Sequence, residues 1–446
     1  MRILLEIIKW YLLTRYKNYY FNSREKLINW QNKKAQAIAR FAIKNSTFYK
    51  EFYAGFSLTD WKKLPLLDKN ILMQNFSALN TAGIDFNIAD EIAIKAEKSR
   101  NFSPTLGKYT VGLSSGTSGN RGLFLVSENE RLAWAGVILA KMLPQTLFSK
   151  QHIAFFLRAN SNIYTTLNSR FIQFDFYDLL DSVELQITKL NQFQPSILVA
   201  PPSMLRILAV AQSTNKLAIK PIRIISVAEV LEPIDKVYIE KQFKQTVHQI
   251  YQATEGFLAV TCKQGTLHLN EDILLVEKEY IDAEKRKFIP VITDFYRTTQ
   301  PIIRYRLNDV LTERKEACAC GSLYTALEQV DGRCDDLFFM KTIKDGKLEP
   351  IFPDFIRRAL VTSSPNILEY TVIQKNPSVL EINLRCNNST SDKIKSEIKN
   401  NLTTLCQQLN VICPELHFGE FSLPEKGRKL RRIIRKFNID EGSIYD

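Results

Sequence analysis

No uninterrupted apolar run in this sequence reaches membrane-spanning length, so no transmembrane helix is expected within it. Internal repeats and long low-complexity segments are also absent, so a repeat array is not expected. The first 21 residues lack the uncharged core and small-residue cleavage site of a secretory signal, because Arg2, Glu6, Lys9, Arg15 and Lys17 interrupt them. Cysteine is sparse, with seven in 446 residues. Without a secretory signal these seven argue against a disulfide framework and for a reducing, cytoplasmic compartment. One further absence is local. The glycine-rich stretch 112–122 lacks the Lys-Ser/Thr pair of a Walker loop, since Gly119 is followed by Asn120 and Arg121.

What is present is an ordinary globular composition, 45% hydrophobic and 24% charged, in a chain long enough for two or three domains. The net charge of +13 is uneven: residues 1–50 carry +9, residues 425–436 carry +6, and the remainder carries −2. A nucleic-acid binder more often has a basic stripe across its main body. Basic ends on a neutral body fit anionic partners such as nucleotide phosphates or lipid headgroups, and no nucleic acid is expected. Residues 1–21 read as an amphipathic helix, docked on the protein's own surface or lying in a membrane interface as a peripheral contact.

Along the chain, a helix is expected over 27–52, and Asp68 is a candidate N-cap for the helix after Leu64-Pro65. The stretch 109–122 opens with a short apolar run that reads as a strand, its small residues read as a loop, and 129–142 reads as a helix. Short apolar runs at 152–157, 196–200, 223–227 and 246–251 suit buried strands. Helical patterns lie between them, one from about 179 to 190, one starting at Pro202 and one over 233–243. This alternation predicts an α/β fold, with a mainly parallel sheet flanked by helices and ligands at the carboxyl ends of the strands. Residues 267–311 read as antiparallel strands. The charged stretch 331–336 is read as a boundary, giving a core domain at 1–334 and a small α+β lid domain at 335–446.

Strand, small-residue loop and helix is an arrangement that cradles phosphate, with backbone N–H groups and hydroxyls pointing inward. Here the loop is Ser114, Ser115, Gly116, Thr117, Ser118 and Gly119. Four further phrases follow it in order: Tyr251-Gln252-Ala253-Thr254-Glu255, Arg304-Tyr305-Arg306-Leu307-Asn308-Asp309, Gly332-Arg333-Cys334-Asp335-Asp336 and Gly427-Arg428-Lys429. The ordered set resembles the adenylate-forming superfamily of acyl-CoA synthetases, peptide-synthetase adenylation domains and luciferases. Pro301-Ile302-Ile303-Arg304-Tyr305-Arg306 and Cys318-Ala319-Cys320-Gly321 are similar to the phenylacetate–CoA ligase branch, which includes an adenylyltransferase acting on a deazaflavin coenzyme.

The resemblance implies an AMP-forming ligase. A carboxylic acid attacks the α-phosphate of ATP, pyrophosphate leaves, and the acyl group passes to coenzyme A, a carrier thiol or an amine. It implies that the Ser/Gly loop holds the leaving phosphates and that Thr254 donates to the α-phosphate. Glu255 would hold Mg²⁺, an ion that takes oxygen ligands. Tyr251 would face adenine, Glu229 would border adenine or the acyl site, and Asp309 and Arg333 would bind ribose. Lys429 would reach from the small domain to neutralise charge, with Lys426 as the alternative lysine, and Asp335 matches the hinge. The usual Pro-Lys at the loop's end is replaced by Arg121-Gly122, so Arg121 is the candidate cation there. Transfer of adenylate to a phenol-like hydroxyl is the alternative chemistry, and a non-catalytic nucleotide-binding protein is the rival class.

Cys262, His268, Cys318 and Cys320 together would make a closed tetrahedral zinc site. The similar positions in the phenylacetate–CoA ligase branch add to that reading. Cys334, Cys386, Cys406 and Cys413 read as packing residues, and His152 and His248 as core histidines. Phe171, Phe174, Phe176 and Tyr177 form an aromatic cluster before a helix, suited to core packing or to a pocket.

Overall fold

The computed structural model describes residues 2–99, 104–113, 122–157, 170–179, 181–284, 286–333, 337–351, 353–364, 366–386, 391–423 and 430–437. The chain forms two compact units, one of residues 1–307 and 311–329, the other of 308–310 and 330–446.

The first unit is built on five parallel strands in the order Val247–Ala253, Arg223–Ser226, Ile197–Ala200, Gln151–Leu157 and Ile172–Asp178. Their side chains sort by a period of two into separate cores. Ala154, Phe156, Leu198, Ala200 and Ile224 pack on one face against Leu205, Leu208 and Ile239 from the helices Pro202–Ser213 and Pro233–Phe243. Ile153, Phe155, Ile197, Val199 and Ile225 pack on the other face, against Leu132, Ala135 and Leu139 of the helix Glu128–Met142. Both faces are covered, so the central strand Ile197–Ala200 is apolar throughout, whereas the edge strand Ile172–Asp178 keeps Gln173 and Asp175.

From Val247–Ala253 the sheet turns antiparallel. Gly256–Thr261 and Leu267–Leu269 follow, then Ala326–Arg333, Asp309–Glu313, Lys287–Asp294 and Leu274–Asp282. The N-terminal helix Arg2–Tyr20 lies on the helix Glu128–Met142. A side chain at Gly136 would meet the Ile7 carbonyl oxygen at 2.5 Å, so glycine permits this close crossing.

In the second unit, Glu415–Glu420, Val379–Cys386, Ile367–Asn376 and Ile433–Arg435 form a four-stranded sheet. Leu380, Ile382 and Leu384 alternate into its core, and Ile394, Ile398, Leu402 and Cys406 recur every fourth residue on the helix Ser391–Gln408.

Several sequence expectations need correction. The expected helix over 27–52 is two helices, Arg24–Asn45 and Thr47–Phe52. Ser46 separates them, closing the first and accepting the Tyr49 N–H at 3.3 Å to open the second. A strand, Leu123–Ser127, intervenes between the Ser/Gly loop and the next helix. It pairs antiparallel with Tyr109–Leu113, so the loop joins two strands and does not open a helix. The aromatic cluster does precede a helix and lies on the strand Ile172–Asp178, where Tyr177 is in the core, stacked on Phe156 at 4.6 Å. Ile433–Arg435 is a strand, and Arg432 is buried with Glu369 at 2.8 Å. His152 is exposed and stacks on Phe193. His248 is buried, and burial pushes its pKa down to about 4. Asp68 caps its helix as expected, accepting the Ile71 N–H at 2.8 Å.

Candidate active site

Thr254 and Glu255 are the two loop residues of a tight hairpin, because Ala253 pairs with Gly256 across them. The hairpin follows the last parallel strand, so both residues stand at the carboxyl edge of that sheet. The Thr254 hydroxyl donates to Glu255 Oε2 at 2.8 Å, and the Tyr305 hydroxyl donates to Glu255 Oε1 at 3.0 Å. Each carboxylate oxygen thus accepts one hydrogen bond and keeps a lone pair for a hard cation. Tyr251 is half-buried on the strand leading into this turn, paired with Ala259. Glu229 follows the neighbouring strand Arg223–Ser226 at the same edge and accepts the Ser203 N–H at 3.2 Å. Ala228 beside it has φ 68°, a left-handed conformation unusual for alanine that turns the chain there.

Residues 114–121 lie outside the described residues, so Ser114, Ser115, Gly116, Thr117, Ser118, Gly119 and Arg121 have no structural account. The strand that follows them is tied to the hairpin turn by one side chain. Arg297 donates from Nη1 to the Thr254 carbonyl at 2.8 Å and from Nη2 to the Leu125 carbonyl at 3.3 Å. Gln300 Oε1 accepts the Leu125 N–H at 3.0 Å. Glu130 closes the cluster. It caps its own helix with Ser127 and accepts the N–H groups of Thr298 at 2.6 Å and Thr299 at 2.8 Å. Burial opposes ionisation of Glu130, but the Arg297 charge and hydrogen bonds from Thr299 and Ser127 outweigh it and hold the pKa below the usual range. Burial pushes the pKa of Asp294 up to about 6, despite the N–H groups of Tyr296 and Arg297 on its Oδ1.

Sequence reasoning assigned no role to Arg297, Glu130 or Asp294. Of these, Glu130 carried a legible signal, the Ser-x-x-Glu capping box before an apolar run. Two phrases quoted separately from the sequence prove to be packed together. Leu67 N–H donates to the Arg304 carbonyl at 2.9 Å, and Arg306 N–H donates to the Leu67 carbonyl at 2.8 Å. Arg304 also forks onto Glu277 at 3.0 and 2.9 Å and reaches the Leu64 carbonyl.

Asp309 begins the strand Asp309–Glu313, and Arg333 ends the strand Ala326–Arg333. Both belong to the second unit. Lys426, Lys429, Cys334 and Asp335 lie outside the described residues.

A second cluster lies in the antiparallel part of the first unit. The ligand atoms of Cys262, His268, Cys318 and Cys320 all lie within 4.8 Å of one another. The Cys262–Cys318 sulfur separation is 3.8 Å, and Cys320 Sγ is 3.4 Å from His268 Nε2. With metal–sulfur bonds of about 2.3 Å, a tetrahedron has edges of about 3.8 Å. His268 Nδ1 lies 3.0 Å from the Tyr324 carbonyl, which fixes the tautomer that leaves Nε2 free for a metal. The donor set and spacing fit zinc.

No protein-family model matches the chain. Protein CapK of Staphylococcus aureus is 23% identical over 334 residues, which cover 68% of each chain. A solved 2-hydroxyisobutyryl-CoA ligase, in complex with 2-HIB-AMP in the postadenylation state, matches with a TM-score of 0.69 at 18% identity. That match covers 91% of this chain and 88% of the ligase. GH3.15 acyl acid amido synthetase matches with a TM-score of 0.54 at 13% identity, over 83% of this chain and 81% of its own. The chain therefore shares the fold of these two solved ligases, mixed α/β with a large strand-rich core.

Proposed function

We propose that the chain is an AMP-forming ligase acting on a small carboxylic acid. A carboxylate oxygen attacks the α-phosphorus of ATP, the bond from that phosphorus to the bridging oxygen breaks, and pyrophosphate departs. A thiol such as coenzyme A, a carrier thiol or an amine then attacks the acyl carbon and AMP leaves. The observation that carries this reading is the Thr254–Glu255 turn. It presents a hydroxyl and a carboxylate with free lone pairs at the carboxyl edge of a parallel sheet, and Arg297 braces it against the strand after the Ser/Gly loop.

In this reading Ser114, Ser115, Thr117 and Ser118, with the amides of Gly116 and Gly119, receive the charge that builds on the departing phosphates. The Thr254 hydroxyl, turning its one donor away from Glu255, donates to the α-phosphate. Mg²⁺ held by Glu255 would neutralise phosphate charge. Tyr251 offers its ring to adenine, Glu229 borders adenine or the acyl site, and Asp309 and Arg333 bind the ribose hydroxyls. Lys429 balances charge on the reacting carboxylate and α-phosphate. Zinc on Cys262, His268, Cys318 and Cys320 is structural, because four protein ligands leave no position for substrate.

The test is ATP–pyrophosphate exchange against a panel of aromatic, aliphatic and amino acids. One class of acid should support exchange, and Lys429→Ala should lower it by about a hundredfold or more while ATP binding survives. No exchange with any acid, or full exchange in Lys429→Ala, would count against the respective assignment.

A further inference from the structure

We propose that the outer face of the N-terminal helix Arg2–Tyr20 is a docking surface for an anionic lipid bilayer. This inference stands apart from the ligase reading. One side of the helix is already committed: Ile7, Tyr11, Thr14 and Lys17 are buried, and Lys17 Nζ donates to the Asp272 carbonyl at 2.8 Å and the Tyr296 hydroxyl at 2.9 Å. The opposite side is apolar as well. Leu5 is 58% exposed, Leu12 60%, Tyr16 58% and Tyr19 85%. At 100° per residue these four fall within an arc of about 60° lying opposite Ile7. Leu13 and Tyr20 are exposed beside them. A helix packed on one face ordinarily turns charged residues outward, and a contiguous apolar patch left in water marks an interaction site.

Charge selects the occupant. Arg2, Lys9 and Arg15 are exposed on this helix, Lys9 pairing with Glu6 at 3.0 Å and Arg15 reaching the Ala140 carbonyl at 3.5 Å, and Lys26 of the next helix lies 4.0 Å from the Tyr20 ring centroid. A second copy meeting through the same face would bring these cations against their own equivalents. An anionic bilayer accepts both parts of the surface. Leucine and tyrosine enter the interfacial zone, and the basic groups stay at headgroup level. Among the described residues no helix is long and apolar enough to cross a membrane, so this one lies along the surface. It is held flat by Gly136, where a side chain would strike the Ile7 carbonyl and Trp10 Cβ.

The experiment is co-sedimentation of the full chain with vesicles of phosphatidylcholine containing one-third phosphatidylglycerol, and with phosphatidylcholine alone. The expected result is binding to the anionic vesicles that weakens with salt. Leu12→Glu/Tyr16→Glu should lower it by about tenfold or more without changing thermal stability, since both side chains point to solvent. The proposal is overturned if the chain stays in the supernatant with anionic vesicles, or binds neutral vesicles equally well. It is also overturned if the paired variant still binds, or if sedimentation velocity shows a dimer that the variant dissolves while vesicles are ignored. Pyrophosphate exchange is a separate readout, so failure here leaves the ligase reading intact.

Discussion

Arg297 shows how much of the site rests on one side chain. Its guanidinium bonds two carbonyls on separate segments, Thr254 and Leu125. A lysine keeps the charge but cannot fork in this way. Arg297→Lys is therefore expected to lower pyrophosphate exchange by about tenfold, mainly as a raised KM for ATP, because the turn is displaced rather than removed. Steady-state kinetics against ATP would check this. Asp294 carries a pH signature. Its folded pKa of about 6 lies above the ordinary aspartate value of 3.8, so the folded state holds the proton more tightly than the unfolded chain. Stability then falls as pH rises through this window, and the full cost applies above about pH 6. Asp294→Asn should flatten that loss by up to about 3 kcal/mol, read by urea unfolding on either side of the window. Glu130, pushed in the opposite direction, loses its contribution only as pH falls through its depressed pKa.

At the scale of elements, the crossing of Arg2–Tyr20 over Glu128–Met142 depends on Gly136. The obstacle to a side chain there is backbone, which cannot swing aside. Gly136→Ala is expected to cost about 1–3 kcal/mol and lower the Tm, despite the better helix propensity of alanine. The strands that were legible in the sequence are those buried on both faces, such as Ile197–Ala200, where every residue is apolar. Ile172–Asp178 escaped because Gln173 and Asp175 interrupt it, and its identity as a strand comes from pairing with Gln151–Leu157. Ile433–Arg435 was hidden by its charged neighbours. Arg432 looks like tail charge until Glu369 is placed beside it.

For the whole molecule, the Cys/His cluster joins segments more than 50 residues apart: Cys262 meets Cys318, and His268 meets Cys320. If zinc bridges them, it closes a long loop of the first unit and adds its binding free energy to the folded state. The purified protein is expected to carry about one zinc per chain by elemental analysis. Cys318→Ser should lower both the metal content and the Tm. A metal-free preparation of full stability would remove zinc from the description.

The sequence by itself determined the parts that depend on local pattern: apolar runs, helix caps such as Asp68, and the order of the Ser/Gly loop, the Thr254–Glu255 phrase and the cysteines. Tertiary structure decided what those parts meet. Strand register sets His268 opposite Ala326 and so brings Cys318 and Cys320 within reach of it. The two-residue hairpin sets Thr254 and Glu255 at the sheet's carboxyl edge, and the Asp294–Gln300 segment supplies the arginine that braces them. The physical reason is range. Periodicity and capping act over a few residues, whereas a hydrogen bond or a metal cluster between distant segments is fixed only when the sheet closes.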